Sequence, residues 1–452
     1  MRALRARPTF YLLMIVLALG LGATRARARS DEDGALEQLL IEKGFVTEEE
    51  LEEARSQAAE QAEPAPAPAP EPEPEPEKKV TVSAGTKGIQ VASPDGNFVL
   101  GLGGRLQIDA GGFFGETTPQ GNGGELRRGR IVTSGSVYQD WEYKFEVNFG
   151  PSGSAVVTDA TLGYVGFAPL EITVGHQKVP FSQQSMTSSN WQVFQERALP
   201  DAFIETTEEG RRRLGAVVGS SGAHWNVAAG MFGEGVTHAG SFDDDWGSAG
   251  RVVLAPIAEK TRLVTVGGAV YYRKFQDPAT TLAFATRPEA NLGTRLVNTG
   301  FLATAVDSLL YNAESAVVWG PVHAQGEYTA GNVDRFADTR VCFDGWYAEA
   351  GWFLTGESRN YDLASAQFKR ITPKRKLGAW EIAARYSKID LQDGNVLGGR
   401  ESNVTVALNW WVNEVVMFRL NYVRGDVAPN AASLGGFDET LNAITGRAQI
   451  VF

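Results

Sequence analysis

From residue 80 to the C-terminus, apolar and polar side chains alternate with a period of two in block after block. In WEYKFEVNF, Trp141, Tyr143, Phe145, Val147 and Phe149 share one face. Glu142, Lys144, Glu146 and Asn148 share the other. GAWEIAARYS sets Trp380, Ile382, Ala384 and Tyr386 against Glu381, Ala383, Arg385 and Ser387. NVTVALNW and VVMFRLNY repeat the arrangement, with Val404, Val406, Leu408 and Trp410 in one and Val416, Phe418, Leu420 and Tyr422 in the other. Alternation of this kind predicts strands with one apolar and one polar face. A soluble sandwich shares that period. Here, however, the apolar rows begin or end in Trp and Tyr, as rows that meet a membrane interface do, and the polar rows carry charge on nearly every strand. A closed barrel with lipid outside and water inside accounts for both features. The pattern therefore predicts an all-β chain, a transmembrane antiparallel β-barrel over 80–452.

The N-terminus follows other patterns. Residues 1–28 read as an export signal: Arg2, Arg5 and Arg7 precede the apolar run Phe10 to Leu21, and Ala26-Arg27-Ala28 offers a small-x-small cleavage site. The apolar run is too short to cross a bilayer. Residues 29–62 read as a pair of short helices. The first stops at Gly44, and Thr47-x-x-Glu50 forms a capping box for the second. LEQLLIEKGFVTEEELEEA resembles, over about twenty residues, a helical module at the front of type II secretion ATPases. It lacks that family's nucleotide-contacting parts, and a solvated helical pair is the simpler reading. Residues 63–79, EPAPAPAPEPEPEPEKK, form a Pro/Glu linker, which favours extended polyproline II. The whole N-terminal segment is expected in the periplasm.

Composition narrows the function. The formal net charge is −12. Residues 29–79 hold 16 acidic and 5 basic side chains, so most of the acidity precedes the barrel. No basic footprint of a nucleic-acid binder is present. The single Cys342 excludes a disulfide scaffold or a cysteine zinc site. The four histidines are scattered, and no GxSxG elbow accompanies Ser220, Ser221 and His224. No enzyme, cofactor or metal is therefore expected. FDDDWG (242–247) reads as a solvated extracellular loop rather than a calcium site.

The strand ITGRAQIVF ends the chain on Phe452, which resembles the terminal assembly signal of Gram-negative outer-membrane barrels. DGNFVLGLGGRLQID (95–109), LRRGRIVTSGSVYQDWEYKFEVNFG (126–150), LGYVGFAPLEITVGHQKVPFS (162–182), TSSNWQVFQERALPDAF (187–203), GWYAEAGWFLTGESRNYD (345–362) and GAWEIAARYSKIDL (378–391) resemble successive blocks of the phosphate-selective porin O/P family. The resemblance runs over most of 88–452. It implies a 16-stranded, homotrimeric outer-membrane channel, inserted by the barrel assembly machinery into outer-membrane lipid. It also implies passive diffusion of small anionic or neutral solutes, phosphate or polyphosphate among them.

Strand parity assigns candidate lumen charges. The basic ones are Arg105, Arg128, Arg130, Lys144, Arg385, Arg419 and Arg447. The acidic ones are Asp109, Glu142, Glu146, Glu171, Glu314, Glu327, Glu349 and Glu381. A ladder of cations would pass anions, whereas so mixed a set equally suits pairs that brace the wall. Loop 180–213 is the candidate constriction, with Arg197, Arg211, Arg212 and Arg213 as its cations beside Glu205, Glu208 and Glu209. Because bacterial barrels begin and end at the periplasmic side, the long loops are expected to face out. The alternative reading is a non-selective porin whose N-terminal segment tethers the outer membrane to the cell wall.

Overall fold

The computed structural model describes residues 79–452 except 117, 151–152, 205–210, 234–244, 276–281 and 429–437, together with isolated positions between 38 and 56. The export signal, almost all of the helical pair and linker, Glu205, Glu208, Glu209, Phe242, Asp243 and Asp244 lie outside the described residues.

Twenty-two strands form among the described residues. A hairpin, β1 (Thr81–Gly85) and β2 (Gly88–Ala92), precedes β3 (Phe98–Phe114), β4 (Gly123–Val137), β5 (Trp141–Asn148), β6 (Val156–Phe167), β7 (Leu170–Lys178), β8 (Arg212–Gly222), β9 (Trp225–Phe232), β10 (Trp246–Ala258) and β11 (Arg262–Lys274). Two short strands, β12 (Ala285–Thr286) and β13 (Val297–Asn298), follow, and then β14 (Ala305–Trp319), β15 (Val322–Arg335) and β16 (Val341–Phe353). β17 (Tyr361–Asp362) and β18 (Gln367–Phe368) pair with each other, and β19 (Ala379–Asp393), β20 (Val396–Trp411), β21 (Val416–Ala428) and β22 (Glu439–Val451) complete the chain. Setting aside the hairpin and the two short pairs leaves sixteen strands, each antiparallel to the next. β22 closes the wall on β3 with Arg447 opposite Asp109. Closure leaves no free edge, which a sheet in lipid requires.

The C-terminus completes that seam. The Phe452 amide donates to the Gly104 carbonyl at 3.0 Å, and the Gly104 amide donates to the Phe452 carbonyl at 2.8 Å. A Cβ on Gly104 would stand 3.2 Å from the Phe452 ring, and one on Gly103 would stand 2.7 Å from the Phe452 carbonyl oxygen, so both glycines make room for the chain end. Below that point β2 takes over the edge of β3, pairing Ala92 with Val99.

The parity read from sequence holds in β5, β19, β20, β21 and β22. Phe145, Ile382, Val404, Phe418 and Ile444 face out and are exposed, while Glu146, Glu381, Thr405, Arg419 and Thr445 face in and are buried. Aromatic rings gather at two heights. Near the termini Trp380 stacks on Trp410 at 5.3 Å and Trp410 on Phe418 at 5.7 Å. Toward the other end Trp346 meets Tyr386 at 5.3 Å and Trp246 meets Tyr272 at 5.6 Å. These are the girdles of a membrane barrel.

Two features depart from the expectation. First, polarity swaps faces beyond the second girdle. Lys388, Arg400 and Asp426 point outward there, while Ile389, Leu391, Val423 and Leu441 point inward and are buried. β3 has 17 residues and β20 has 16, more than the bilayer needs, so their ends rise into water. Their inner rows then pack on inward-folded loops, in a core that includes Phe181, Leu199, Phe203, Phe284 and Leu296. Second, one long connection, 354–378, lies at the end that carries the C-terminus, where sequence reasoning expected only short turns. It also turns inward: Phe368 packs with Leu263, Ala316 and Val318 of the wall, and Ile371 with Phe353 and Trp411.

Candidate constriction and anion pathway

Between β7 and β8 the chain leaves the wall and crosses the lumen. Residues 179–203 of this loop are mostly buried. Its first turn is a short helix, Gln183–Met186, closed by the Ser182 hydroxyl accepting from the Ser185 amide. From the opposite wall Glu327 accepts the amides of Gln183 at 3.1 Å and Gln184 at 2.7 Å. Tyr347 donates its hydroxyl to the same carboxylate at 2.7 Å, and Asn312 donates its amide at 3.1 Å. Lys178 donates to the carbonyls of Ser185 (2.6 Å) and Met186 (2.9 Å).

The late-strand cations predicted as ladder rungs serve this loop. Arg419 donates to the carbonyls of Gln192 (2.5 Å) and Phe194 (3.1 Å). Arg447 donates to the Gln195 carbonyl at 2.7 Å and grips Asp109 with two hydrogen bonds. Arg385 donates to the Glu196 carbonyl at 3.1 Å, lies over the Phe194 ring, and pairs with Glu289 of the 275–304 loop at 2.5 Å. Asn409 donates to the Val193 carbonyl at 2.9 Å. The loop backbone is thereby fixed by charge-assisted hydrogen bonds, the stronger class. The acidic lumen candidates are engaged too: Glu381 hydrogen-bonds His323 at 2.6 Å, and Glu349 lies 3.6 Å from Arg385. Glu142 and Glu171 are exposed near the turns.

The early-strand cations do converge. Arg105, Arg130, Lys178, Arg197, Arg211 and Arg212 surround a narrow cavity of about 20 Å³ together with Ser188 and Ser189. Three carboxylates share them. Glu146 receives Arg130 at 2.6 Å and Arg105 at 3.1 Å, Asp159 receives Arg212 at 3.0 Å, and Asp201 receives Arg211 at 2.7 Å. Lys144 binds Asp159 at 2.7 Å from the rim. Arg197 donates to the carbonyls of Gln184 and Thr187, 2.9 and 3.0 Å away. Burial, then the neighbouring Arg211, pushes the Arg197 guanidinium well below its ordinary pKa. A larger cavity of about 420 Å³ adjoins it through Arg105 and Ser188 and adds Lys87, Lys144 and Arg370. Arg370 comes from the 354–378 connection and lies 5.1 Å from the Trp191 ring.

Parity placed Arg128 and Arg130 inward but missed Arg127. A bulge opposite Gln107/Ile108 turns both Arg127 and Arg128 inside. Arg128 donates to Gln107 at 2.9 Å, and Arg127 forks onto Glu196 with two 3.0 Å bonds. Arg251, Asp159, Glu289 and Glu401, all buried, and the half-buried Lys178 are further inward charges that the reading missed. Lys178, Arg251, Asp159 and Glu401 lie in strand stretches whose sequences alternate less cleanly than WEYKFEVNF or GAWEIAARYS. Glu289 sits in a loop that carries no parity signal. Arg213 is half-buried at the start of β8 and does not line the narrow cavity.

The family model described as phosphate-selective porin O and P matches residues 100–452. A Pseudomonas aeruginosa protein named Porin O is 32% identical over 412 residues, 81% of this chain and 91% of that one. A Caulobacter vibrioides protein is 30% identical over 345 residues, 71% of this chain and 67% of that one. Among solved structures, a loop-deletion form of the Vibrio cholerae outer membrane protein OmpT superposes with TM-score 0.52 at 11% identity, covering 79% of this chain and all of that one. The trimer form of the same protein gives 0.51 at 11% identity, over 78% of this chain and 99% of that one.

Proposed function

The chain belongs to the phosphate-selective porin O and P family and is an outer-membrane porin; on that premise we propose that it passes small anions in preference to cations, phosphate among them, through the basic cavity at its constriction. The observation that carries the reading is the cavity itself. Six cations, Arg105, Arg130, Lys178, Arg197, Arg211 and Arg212, face one small space, and three carboxylates touch them among the described residues. Among the described residues the cations outnumber those carboxylates, inside a protein-walled space where fields are strong. Ser188 and Ser189 add hydroxyl groups to the same space. A dehydrating oxyanion would exchange water for guanidinium and ammonium donors there and then pass to the larger basic cavity. No bond is made or broken, so the chemistry is that of a channel rather than an enzyme.

The surplus is partial, because Glu146, Asp159 and Asp201 stay in contact with the cations. The preference should therefore be moderate. Inorganic phosphate added to a purified channel carrying chloride current in a planar bilayer tests the site. Occupancy of the cavity predicts a saturable fall in chloride current. A chloride current indifferent to phosphate would remove the site from the pathway.

We also propose a homotrimer that meets through the low part of the wall. β5 and β9 have 8 residues each, fewer than a bilayer crossing needs, and carry outward Trp141, Phe145 and Met231. A neighbouring copy covers such a wall better than lipid does.

A further inference from the structure

Glu196 sits at the tip of the constriction loop, one residue before the cavity-lining Arg197. Its carboxylate is held as a free oxyanion would be. Arg127 offers a two-bond fork, Nε to Oε1 and Nη2 to Oε2, both 3.0 Å. Arg447 adds a third bond to Oε1 at 2.8 Å. Arg128, fully buried, contributes its field from the same strand. Burial alone would raise the carboxyl group, but Arg127, Arg128 and Arg447 outweigh it and hold the group well below the usual carboxylate range. A planar fork of this kind receives carboxylate and phosphate alike.

Two further facts distinguish this from a bracing pair. The Glu196 side chain remains 17% exposed, so the site is reachable from the lumen. The loop backbone also has holds that do not use that carboxylate, since Arg385 donates to the Glu196 carbonyl and Arg447 to the Gln195 carbonyl. Along β4 the cluster sits between two other groups: one rung further from the termini Glu125 receives Asn291 of the 275–304 loop, and toward the termini Arg130 lines the basic cavity.

We propose that Arg127, Arg128 and Arg447 form a second oxyanion site in front of the basic cavity, and that the Glu196 carboxylate occupies it as a tethered substitute for the permeant ion. An arriving phosphate would compete with Glu196 for the Arg127 fork. The tethered carboxylate keeps that ion from lodging there and so keeps the channel fast. The idea rests on the anion reading above, and its test separates the two.

The test uses full-length channel in planar bilayers, chloride as the carrier and inorganic phosphate as the probe. Glu196→Gln keeps the shape and removes the charge. The half-blocking phosphate concentration should fall by about tenfold, since one charge-assisted contact carries roughly that factor. Adding Arg127→Gln to Glu196→Gln should abolish the gain. Glu196→Asp, which keeps the charge but shortens the reach, should fall between wild type and Glu196→Gln, and serves if Glu196→Gln does not yield heat-modifiable barrel. A half-blocking concentration within about twofold of wild type in whichever variant folds overturns the masked site. If phosphate blocks wild type in that case, only this inference falls. If phosphate blocks neither protein, the anion reading falls with it. Block seen only in Glu196→Gln supports the masked site and removes the basic cavity from the pathway.

Discussion

Replacing Glu327 by Gln should release the constriction loop while leaving the barrel standing. The carboxylate takes four hydrogen bonds: two from the loop amides of Gln183 and Gln184, one from Tyr347 and one from Asn312. The amide that replaces it keeps one acceptor oxygen and brings two donors, so one loop amide faces a donor and loses its partner. A hydrogen bond to a charged group contributes ~1.5–3 kcal/mol, and a buried orphan costs a further ~1–3 kcal/mol. About 3 kcal/mol of loop docking is a fair sum, a shift of roughly 100-fold in the docked-to-undocked ratio. Lys178, Arg419 and Asn409 still hold other parts of the loop, so the release is local and reversible. Single-channel recording reads this directly. The variant should show open-channel flicker to a higher conductance, with the heat-modifiable band on gels unchanged. The β14–β15–β16 backbone ladder does not involve the side chain. Quiet channels of wild-type conductance in Glu327→Gln would refute the assignment of this residue as the loop's anchor.

Deleting Phe452 removes both hydrogen bonds to Gly104 and the ring packed on it, so exported protein should accumulate with little heat-modifiable barrel; normal barrel levels would contradict the closing role of the residue. Arg197→Gln with Arg211→Gln removes two cavity cations while sparing the strands. The reversal potential should move toward cations, and the movement should shrink as salt rises past ~0.1 M, where screening acts over ~10 Å; an unchanged potential at low salt would place these residues off the path.

Much of the barrel was legible because lipid imposes a rule on every strand. Trp380, Ile382, Ala384 and Tyr386 can face only outward, and a one-residue slip would bury the charged row in hydrocarbon. The terminal Phe452 was legible for the same reason, as the end of an apolar row. The lumen obeys no comparable rule. Arg419 and Arg447 read as rungs by parity, yet their donors go to carbonyls of a loop more than two hundred residues away in sequence. Arg127 escaped because one bulge shifts the phase of β4 between Glu125 and Arg128. Above the membrane the inner row becomes apolar, as with Ile389 and Leu391, because folded-in loops rather than water fill that end. The 354–378 connection carries no local signal of its direction. Its inward turn depends on Phe368 and Ile371 finding wall pockets built by distant strands.

The basic cavity, not the chain's overall acidity, should decide which sign of ion passes. The reversal potential of the purified wild-type channel across a KCl gradient, held below ~0.1 M on both sides so that screening stays weak, tests this most directly. The net charge of −12 would by itself draw cations. The six cations at the constriction predict a potential displaced toward the chloride equilibrium value. A potential at zero, or displaced toward potassium, would contradict the account.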